Sequence, residues 1–253
     1  MLIQFQKVKY LIVYYPHSLL FTLCFLYLLP SLTIFFIPDD VRFAVFYNNY
    51  GFLENLKNIW LSPNDLYNKS YSFKPILDSI TLIESSIWGI NPFWFHLTNV
   101  SFHIFNVILF YQFSFALLKR RELSFICAVI FIIHPIMTNS TFWVYSRTEL
   151  VACSFYLLSL ITLFRYFAKE QLIFLILSQL LFFFSLLSKD ASITLPFAQY
   201  WLVVWKKNEL VEKGRSRRIL VKLLTGNILT VLIFLSFLII ICNQNRFSII
   251  NNY

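Results

Sequence analysis

Long uninterrupted apolar runs are the feature that most constrains how this chain can fold. Six of them have the length, roughly 17–25 residues or more, that an α-helix needs to cross a bilayer. One further run is shorter and would need a tilt or a locally thin bilayer to span the membrane. In chain order the runs cover residues 10–37, 93–118, 123–142, 148–164, 171–187, 191–205 (the short one) and 219–242.

The composition agrees with these runs and excludes an ordinary soluble domain. Hydrophobic residues make up 58% of the chain and charged residues 13%, and the mean hydropathy is +0.69. Soluble domains carry about 25% charged residues. The sequence therefore predicts an all-α, polytopic membrane protein with about seven transmembrane helices.

Basic residues indicate the orientation of these helices. The alternate connecting segments 1–9, 119–122, 165–170 and 206–218 hold most of the lysines and arginines. Because cytoplasmic loops are enriched in these residues, the N-terminus is predicted to be cytoplasmic and the C-terminus to be outside. The longest of these segments is then a basic cytoplasmic loop. The net charge of +9 is divided among short loops, so the predicted partner is the lipid bilayer and not a nucleic acid.

One long loop, residues 38–92, lies on the predicted outer side. It carries aromatic and aliphatic residues among polar ones, which favours helices that lie in the membrane interface. Pro75 is well placed to begin one such helix, and Gly89 with Pro92 to end it. The whole chain, 1–253, is interpreted as a single transmembrane module whose first run is an uncleaved signal anchor.

Charged residues at the predicted outer ends of the spans occur in pairs. Each pair has a structural interpretation, as a helix end, a surface ion pair or a polar hinge, and also a chemical one. Carboxylates at an apolar boundary can act as bases, and a cation beside a carboxylate can hold a phosphate. The pairs are Asp39 with Asp40, Arg147 with Glu149, and Lys189 with Asp190, and His134 lies near the same face.

A polar stripe runs down the second apolar run. At about 100° per helical residue its four side chains fall within an arc of roughly 80°. They are His96, Asn99, His103 and Asn106. On a lipid-buried helix such a stripe should face other helices or a wet cavity, so it is interpreted as helix packing or as cavity lining.

No metal site is predicted. The two histidines of the stripe are about two helical turns apart, too far for joint ligation. The four cysteines show neither a CxxC pattern nor another metal-ligand spacing, and they are interpreted as small core residues. A divalent metal cofactor is therefore without support from the sequence.

Five segments, in this order, resemble signature segments of the GT-C-type membrane glycosyltransferases. They are PDDVRFAVFYNN, YSFKPIL, GINPFWFHLTNVSFHIFN, HPIMTNSTFWVYSRTEL and LLSKDASITLP. They resemble in particular the DUF1736 and tetratricopeptide-linked O-mannosyltransferase-like proteins, which are relatives of the protein O-mannosyltransferases. The similarity covers roughly residues 30–205.

The resemblance implies a seven-span module with interfacial helices in its first outer loop. It also implies the inverting transfer of a sugar, such as mannose, from a polyprenyl-phosphate carrier to a hydroxyl of a protein or glycan on the extracytoplasmic side. It assigns the catalytic base to Asp39 or Asp40. It also implies a basic residue near the lipid phosphate, a role that the chemistry of Arg147 or Lys189 fits. The remaining residues predicted near the donor are Glu149, Asp190, Lys74 and His134.

The chain departs from the family pattern in several places. Lys74 stands where the family has an arginine, so a forked donor becomes a point charge. Met137 and Asn139 stand where the family often has histidine and glutamate, and Asp190 replaces a glutamate. Family members also continue into further helices and often into a repeat domain. The chain is therefore expected to be a truncated copy, one half of a split enzyme, or a minimal form.

Two main functions remain open from the sequence, and a transporter is a third, which the lack of paired, symmetric halves disfavours. One is the glycosyltransfer just described. The alternative is a non-catalytic membrane subunit, or a lipid-linked-sugar-binding partner of a larger complex that includes a second membrane protein. The predicted location is the bacterial inner membrane, with the endoplasmic reticulum membrane as the alternative.

Overall fold

The computed structural model describes residues 10–37, 51–61, 73–206 and 216–250, together with Gln6 and Asp40. Every regular element in these ranges is helical, and no strand occurs among them. The α-helices are α1 (Pro16–Leu28), α2 (Phe52–Leu61), α3 (Pro75–Trp88), α4 (Pro92–Leu118), α5 (Arg121–Ile133), α6 (Pro135–Phe142), α7 (Arg147–Lys169), α8 (Leu172–Ser188), α9 (Leu195–Trp205) and α10 (Ser216–Ile250). Short 3-10 helices occupy Leu29–Thr33, Val144–Ser146 and Asp190–Thr194.

Four helical segments of the described residues are long and apolar enough to cross a membrane. They are Pro16–Thr33, Pro92–Leu118, Val144–Lys169 and Arg217–Ile240, and the apolar helix α8 is somewhat shorter. The prediction of an all-helical membrane protein is therefore confirmed. The prediction of seven spans, and of which ends face the cytoplasm, goes beyond these four helices and stays a prediction.

The predicted third span, residues 123–142, is broken in the middle. Helix α5 ends at Ile133 and α6 begins at Pro135, with His134 between them in extended backbone (φ −66°, ψ 126°). Pro135 has no amide hydrogen and disfavours helical geometry at the residue before it, so the helix stops there. The carbonyl groups at the end of α5 consequently need hydrogen-bond donors from elsewhere in the protein.

Helices α7 and α8 form an antiparallel pair held by small polar side chains. The hydroxyls of Ser159 and Ser178 each donate to the other residue's carbonyl, at 2.8 and 2.9 Å. Near the start of α7 and the end of α8, the Ser185 hydroxyl donates to the Ala152 carbonyl at 2.9 Å. Helix α9 joins them, because Nε2 of Gln199 lies 3.0 Å from the Ser159 hydroxyl oxygen. Serine and alanine let two membrane helices approach closely enough for such bonds.

Two clusters of buried apolar side chains complete the packing. One, which includes Leu163 and Phe182, joins α7 to α8, α9 and α10. The other, which includes Leu20 and Val107, joins α1 to α4 and α5. Many large apolar side chains, such as Ile228 at 60% exposure, point outwards instead. A surface of this kind fits a lipid environment and would favour aggregation in water.

The long first loop contains two described helices, α2 and α3. As predicted, α3 begins at Pro75 and ends at Gly89, whose φ of +61° is a conformation that glycine adopts at little cost. The indole Nε1 of Trp60 on α2 donates to the Ser79 hydroxyl on α3 at 3.0 Å. The two helices therefore pack as a unit; whether that unit lies in the membrane interface stays a prediction.

The polar stripe of α4 is completely buried. Nδ2 of Asn99 donates to the Thr141 carbonyl at 3.2 Å, and Nδ2 of Asn106 donates to the Leu150 carbonyl at 2.8 Å. The Ser154 hydroxyl donates to Oδ1 of Asn106 at 2.7 Å. These bonds connect α4 to the end of α6 and to the first turns of α7.

The two histidines of the stripe lie beside carbonyl groups at helix ends. His96 lies next to the Thr141 carbonyl near the end of α6, and His103 next to the Ile132 carbonyl near the end of α5. Neither ring makes a hydrogen bond of normal geometry with a described residue. The last carbonyls of a helix lack intrahelical donors. The polar side chains of α4 therefore face the carbonyl groups at the ends of the two helices that make up the broken span.

Replacing Asn106 with alanine should destabilise the protein, because two buried hydrogen bonds between α4 and α7 are lost. We expect the free energy of unfolding to fall by roughly 1–2 kcal/mol, as is typical of such bonds in membrane proteins. Thermal or denaturant unfolding in detergent measures the effect. The control is Ser101→Ala, on the exposed side of α4, where the hydroxyl contacts the carbonyl of Leu97 in its own helix. Equal stability of the two variants would contradict this role for Asn106.

Candidate functional site

Asp40 is held near the start of α7 by backbone hydrogen bonds. Its side chain is buried, with 1% of its surface exposed. Oδ1 accepts from the backbone N–H of Tyr145 at 2.9 Å, and Oδ2 accepts from the backbone N–H of Ile37 at 3.3 Å. The carboxylate therefore joins the segment after α1 to the segment that begins α7. Asp39, the other predicted base, lies outside the described residues.

Burial raises the pKa of Asp40 above its ordinary value. The N–H groups of Tyr145 and Ile37 act in the opposite direction, as does the positive charge of Arg147, but burial is the larger effect. A carboxyl group with a raised pKa binds a proton more readily than an exposed one. That property suits a general base that must take a proton from a hydroxyl group.

Arg147 lies in the interior and not at the surface. Its side chain is completely buried, and Nη1 forms an ion pair with Oε2 of Glu84 on α3. Nη2 donates to the Phe95 carbonyl at 2.9 Å, and the guanidinium carbon lies 5.5 Å from the centroid of the Phe95 ring. In this conformation the guanidinium is enclosed by protein, so a phosphate at the surface does not reach it.

Glu84 did not emerge from the sequence as a site residue. On α3 it lies on the buried face that also includes Leu77, Thr81 and Ser85. A carboxylate in register with the apolar positions of an amphipathic helix was the available signal, because such a group is rarely buried without a partner. Burial raises the pKa of Glu84, while Arg147 acts to lower it.

A second ion pair is more accessible. Nζ of Lys189, at the end of α8, lies 3.1 Å from Oε1 of Glu149 in the first turn of α7. The two side chains are 33% and 34% exposed. The Ser140 hydroxyl donates to the other oxygen of Glu149 at 2.6 Å. This arrangement fixes Glu149 and leaves the lysine able to contact a ligand from outside.

Lys74 belongs to the same neighbourhood. It precedes α3, and its Nζ lies 5.2 Å from the centroid of the Tyr145 ring. Burial lowers the pKa of Lys74, and the positive charge of Lys189 lowers it further, while Asp78, Asp190 and Glu149 act to raise it. Two lysines and three carboxylates thus meet in this region, and a phosphate that bound here would contact the lysines. Asp190 itself is exposed and begins the 3-10 helix after α8.

A cavity of about 260 Å³ opens beside the Lys189–Glu149 pair. It is large enough for a phosphate or part of a sugar and has both polar and apolar walls. Its lining consists of Glu149, Ala152, Cys153, Tyr156, Lys189, Ala191 and Ser192. The predicted donor residues Lys189 and Glu149 thus border a cavity.

The other predicted residues have different surroundings. His134 is exposed at the junction of α5 and α6 and is engaged in an interaction of its own. The stripe His96, Asn99, His103 and Asn106 lies in the interior of the bundle. Among the described residues, no group of three or more His, Cys, Asp or Glu side chains is arranged to hold a metal ion.

The buried and the exposed ion pair should respond differently to the loss of their cations. Arg147→Ala leaves the Glu84 carboxylate buried without its partner, which should cost about 3–5 kcal/mol of stability. Lys189→Ala removes one member of a partly solvated pair and should cost under about 1 kcal/mol. Unfolding of both variants in the same detergent compares them. Similar losses in the two variants would show that Arg147 is not the structural member.

The loss caused by Arg147→Ala should also depend on pH. Without Arg147, the pKa of the buried Glu84 rises further above its value in the unfolded chain. The loss of stability in Arg147→Ala therefore has its full size above the folded-state pKa of Glu84. It shrinks as the pH falls through that pKa, because protonated Glu84 needs no cation. Unfolding measured from neutral to acidic pH tests this. A deficit that grows towards acid would contradict it.

Comparison with known proteins finds relatives but no complete match. No family model and no solved structure matches the chain. Human protein O-mannosyl-transferase TMTC1 is 28% identical over 136 residues, which are 50% of this chain and 15% of that protein. Protein O-mannosyl-transferase TMTC2 of Mus musculus is 33% identical over 125 residues, which are 49% of this chain and 14% of that protein.

A third relative extends over more of the chain. Protein O-mannosyl-transferase Tmtc1 of Drosophila melanogaster is 25% identical over 177 residues, which are 68% of this chain and 21% of that protein. The chain thus spans a minor part of the length of each of these relatives. Over about half of its own length it is similar to protein O-mannosyl-transferases TMTC1 and TMTC2, and the family resemblance expected from its sequence motifs is confirmed.

Proposed function

We propose that this chain is a GT-C-type glycosyltransferase module that transfers a sugar from a polyprenyl-phosphate carrier to an acceptor hydroxyl on the extracytoplasmic side of the membrane. The observation that supports this most is the Asp40 carboxylate, held by two backbone N–H groups near a more exposed cluster that includes two lysines. A carboxylate for the acceptor and cations for the departing phosphate are what the reaction requires.

In the proposed reaction Asp40 is the general base. The acceptor hydroxyl oxygen attacks the anomeric carbon of the sugar while its proton passes to the Asp40 carboxylate. The bond from that carbon to the phosphate oxygen breaks, and polyprenyl phosphate leaves with the bonding electrons. Attack opposite the leaving group inverts the configuration. Because Asp40 is buried in this structure, a conformational opening precedes acceptor binding.

The leaving phosphate is proposed to lie at the accessible cluster of Lys189 and Lys74. Lysine is a point charge that follows a phosphate without imposing a fixed geometry. Glu149 holds the Lys189 ammonium on one side, and the cavity beside them has room for the phosphate. Asp190 and His134 are assigned to the rim of this region, where they would contact the sugar or the headgroup.

The proposed sugar and acceptor are inferred from the names of the related proteins. These proteins are called protein O-mannosyl-transferases, so the proposed sugar is mannose and the proposed acceptor is a hydroxyl group of a protein. A glycan hydroxyl would be activated by the same base. The chemistry derived for Asp40 and Lys189 is the same in both cases.

A second candidate function is a non-catalytic subunit that binds a lipid-linked sugar beside another membrane protein. The burial of Asp40 favours it, because both oxygens accept internal hydrogen bonds and the carboxylate could serve only to join two segments. In this case the lysine cluster would still bind the donor phosphate. Both candidates therefore predict binding of the donor, and only the glycosyltransferase predicts transfer of the sugar.

The proposed topology has seven spans with the N-terminus in the cytoplasm, so that the cluster lies on the extracytoplasmic side. The basic segment 206–218 would then be cytoplasmic. Two membranes fit this orientation, the bacterial inner membrane and the endoplasmic reticulum membrane. The relatives found are animal proteins, which favours the endoplasmic reticulum.

Asp40→Asn should abolish transfer while leaving donor binding intact. Asparagine keeps the size of the side chain and its acceptor oxygen but cannot take a proton. We expect the transfer rate to fall by about 10²–10⁴-fold, the usual contribution of a general base. The assay uses the purified chain, a short-chain polyprenyl-phosphate mannose and a serine- or threonine-containing peptide. Asp39→Asn is the matched control; an active Asp40→Asn with an inactive Asp39→Asn would move the base to Asp39.

Donor binding is measured on the same preparations. Lys189→Ala should weaken the Kd for the polyprenyl-phosphate sugar about tenfold or more, since a charge-assisted hydrogen bond to phosphate is lost. Lys169→Ala is the control. Lys169 lies at the end of α7 that is far from Glu149, so this change should leave Kd unchanged. Binding without transfer by the wild-type chain would favour the subunit function. Binding that is indifferent to Lys189 would place the phosphate elsewhere.

The orientation can be tested with single cysteines in a background that lacks the native ones. Asp190→Cys, at the proposed outer face, should react with a membrane-impermeant maleimide in intact spheroplasts of a bacterial host that expresses the chain in its inner membrane. Glu170→Cys, at the turn between α7 and α8, should react only after the membrane is permeabilised. The turn residues lie at opposite ends of α8, so the pair controls for accessibility. The reverse pattern would contradict the proposed topology.

A further inference from the structure

The buried ion pair of Glu84 and Arg147 joins three elements at the outer end of the bundle. Glu84 lies on α3 and Arg147 begins α7, and both side chains are almost completely enclosed. The second nitrogen of the Arg147 fork donates to the Phe95 carbonyl on α4. A single guanidinium therefore fastens the outer loop to two long helices.

A pair buried this deeply is weak evidence for stability alone. Taking two charges out of water costs several kcal/mol per ion, and apolar replacements of similar size are often as stable. The interest of this pair lies in what stands next to it. Tyr145, two residues before Arg147, donates its N–H to Asp40, and Val144, which precedes Tyr145, packs against Phe95.

Arg147 also acts on Asp40 through its charge. Of the charged groups on described residues, Arg147 is the one that favours the ionised form of Asp40. Glu84 on α3 and His96 on α4 face Arg147 in turn. Any change in the charge of Arg147 or Glu84 should consequently be felt at Asp40.

We infer that Glu84 and Arg147 are positioning residues for Asp40 and that Arg147 is not a ligand of the donor phosphate. Arg147 fixes the segment whose N–H holds the Asp40 carboxylate, and its positive charge favours the ionised carboxylate over the protonated one. Glu84 holds Arg147 in place and offsets part of that charge. The inference rests on the proposed function only in treating Asp40 as the base.

The two charges make opposite predictions for Asp40. Arg147→Met removes the cation and should raise the protonation midpoint of Asp40. Glu84→Gln removes the anion that offsets Arg147 and should lower that midpoint. Glu84→Gln/Arg147→Met removes both charges and should give a midpoint between those of the single variants. A role confined to stability predicts no such pattern.

The experiment is a pH titration by infrared spectroscopy of the full chain in detergent or nanodiscs. The carbonyl band of protonated Asp40 is identified as the band missing from Asp40→Asn. We expect its midpoint to move upwards by about one pH unit or more in Arg147→Met, which is typical when an adjacent opposite charge is removed. It should move downwards in Glu84→Gln. Arg147→Lys keeps the charge and should stay closest to the wild type.

The double variant keeps the test decisive if Arg147→Met fails to fold, because it leaves no unpaired buried charge. A midpoint that is the same in the wild type, Glu84→Gln and the double variant would overturn the inference. A loss of donor binding in Arg147→Lys, with Asp40 unchanged, would also overturn it and restore Arg147 as a phosphate ligand. The band reports Asp40 directly, so this outcome is separate from whether the chain transfers a sugar.

Discussion

Water is absent from the interior of a bilayer, so each buried polar group of this protein must find its partner within the protein. The break at His134 and Pro135 makes this constraint severe, because it leaves helix-end carbonyls without donors. Helix α4 lies along both parts of the broken span: His103 lies next to the Ile132 carbonyl near the end of α5, and Asn99 donates to the Thr141 carbonyl near the end of α6. The same stripe binds α7 through Asn106. The polar residues of a membrane helix thus compensate for irregular backbone in its neighbours, and the arrangement brings α6 and α7 together below the candidate site.

The candidate site has charges at two depths, and their environments suggest different roles. Arg147 is enclosed with Glu84, where a charge is costly to expose or to leave unpaired. Lys189 and Glu149 are about one third exposed beside a cavity, where a ligand can replace water at the lysine. Asp40 is as deeply buried as the Glu84–Arg147 pair and is tied to the backbone of Tyr145. On this view the buried Glu84–Arg147 pair organises the site, and the accessible Glu149–Lys189 pair contacts the ligand.

Local patterns predicted the helices well because they depend on residues close in sequence. Pro75 and Gly89 bound α3 as expected, and the apolar runs 93–118 and 171–187 nearly coincide with α4 and α8. The run 123–142 was less well predicted, since a hydropathy pattern does not register the missing amide of Pro135. The Glu84–Arg147 pair was missed because its members are 63 residues apart and only the packing of α3 on α7 brings them together.

The sequence by itself determined that this is a helical membrane protein and that its charged residues gather near the ends of apolar helices. Lipid solvation imposes that pattern residue by residue, without reference to how the helices pack. Only the tertiary structure decided which charges meet: that Lys189 pairs with Glu149, that Arg147 turns inwards to Glu84, and that Asp40 accepts from Tyr145. Those choices depend on distances between helices far apart in the chain, and a buried charge selects its partner by geometry.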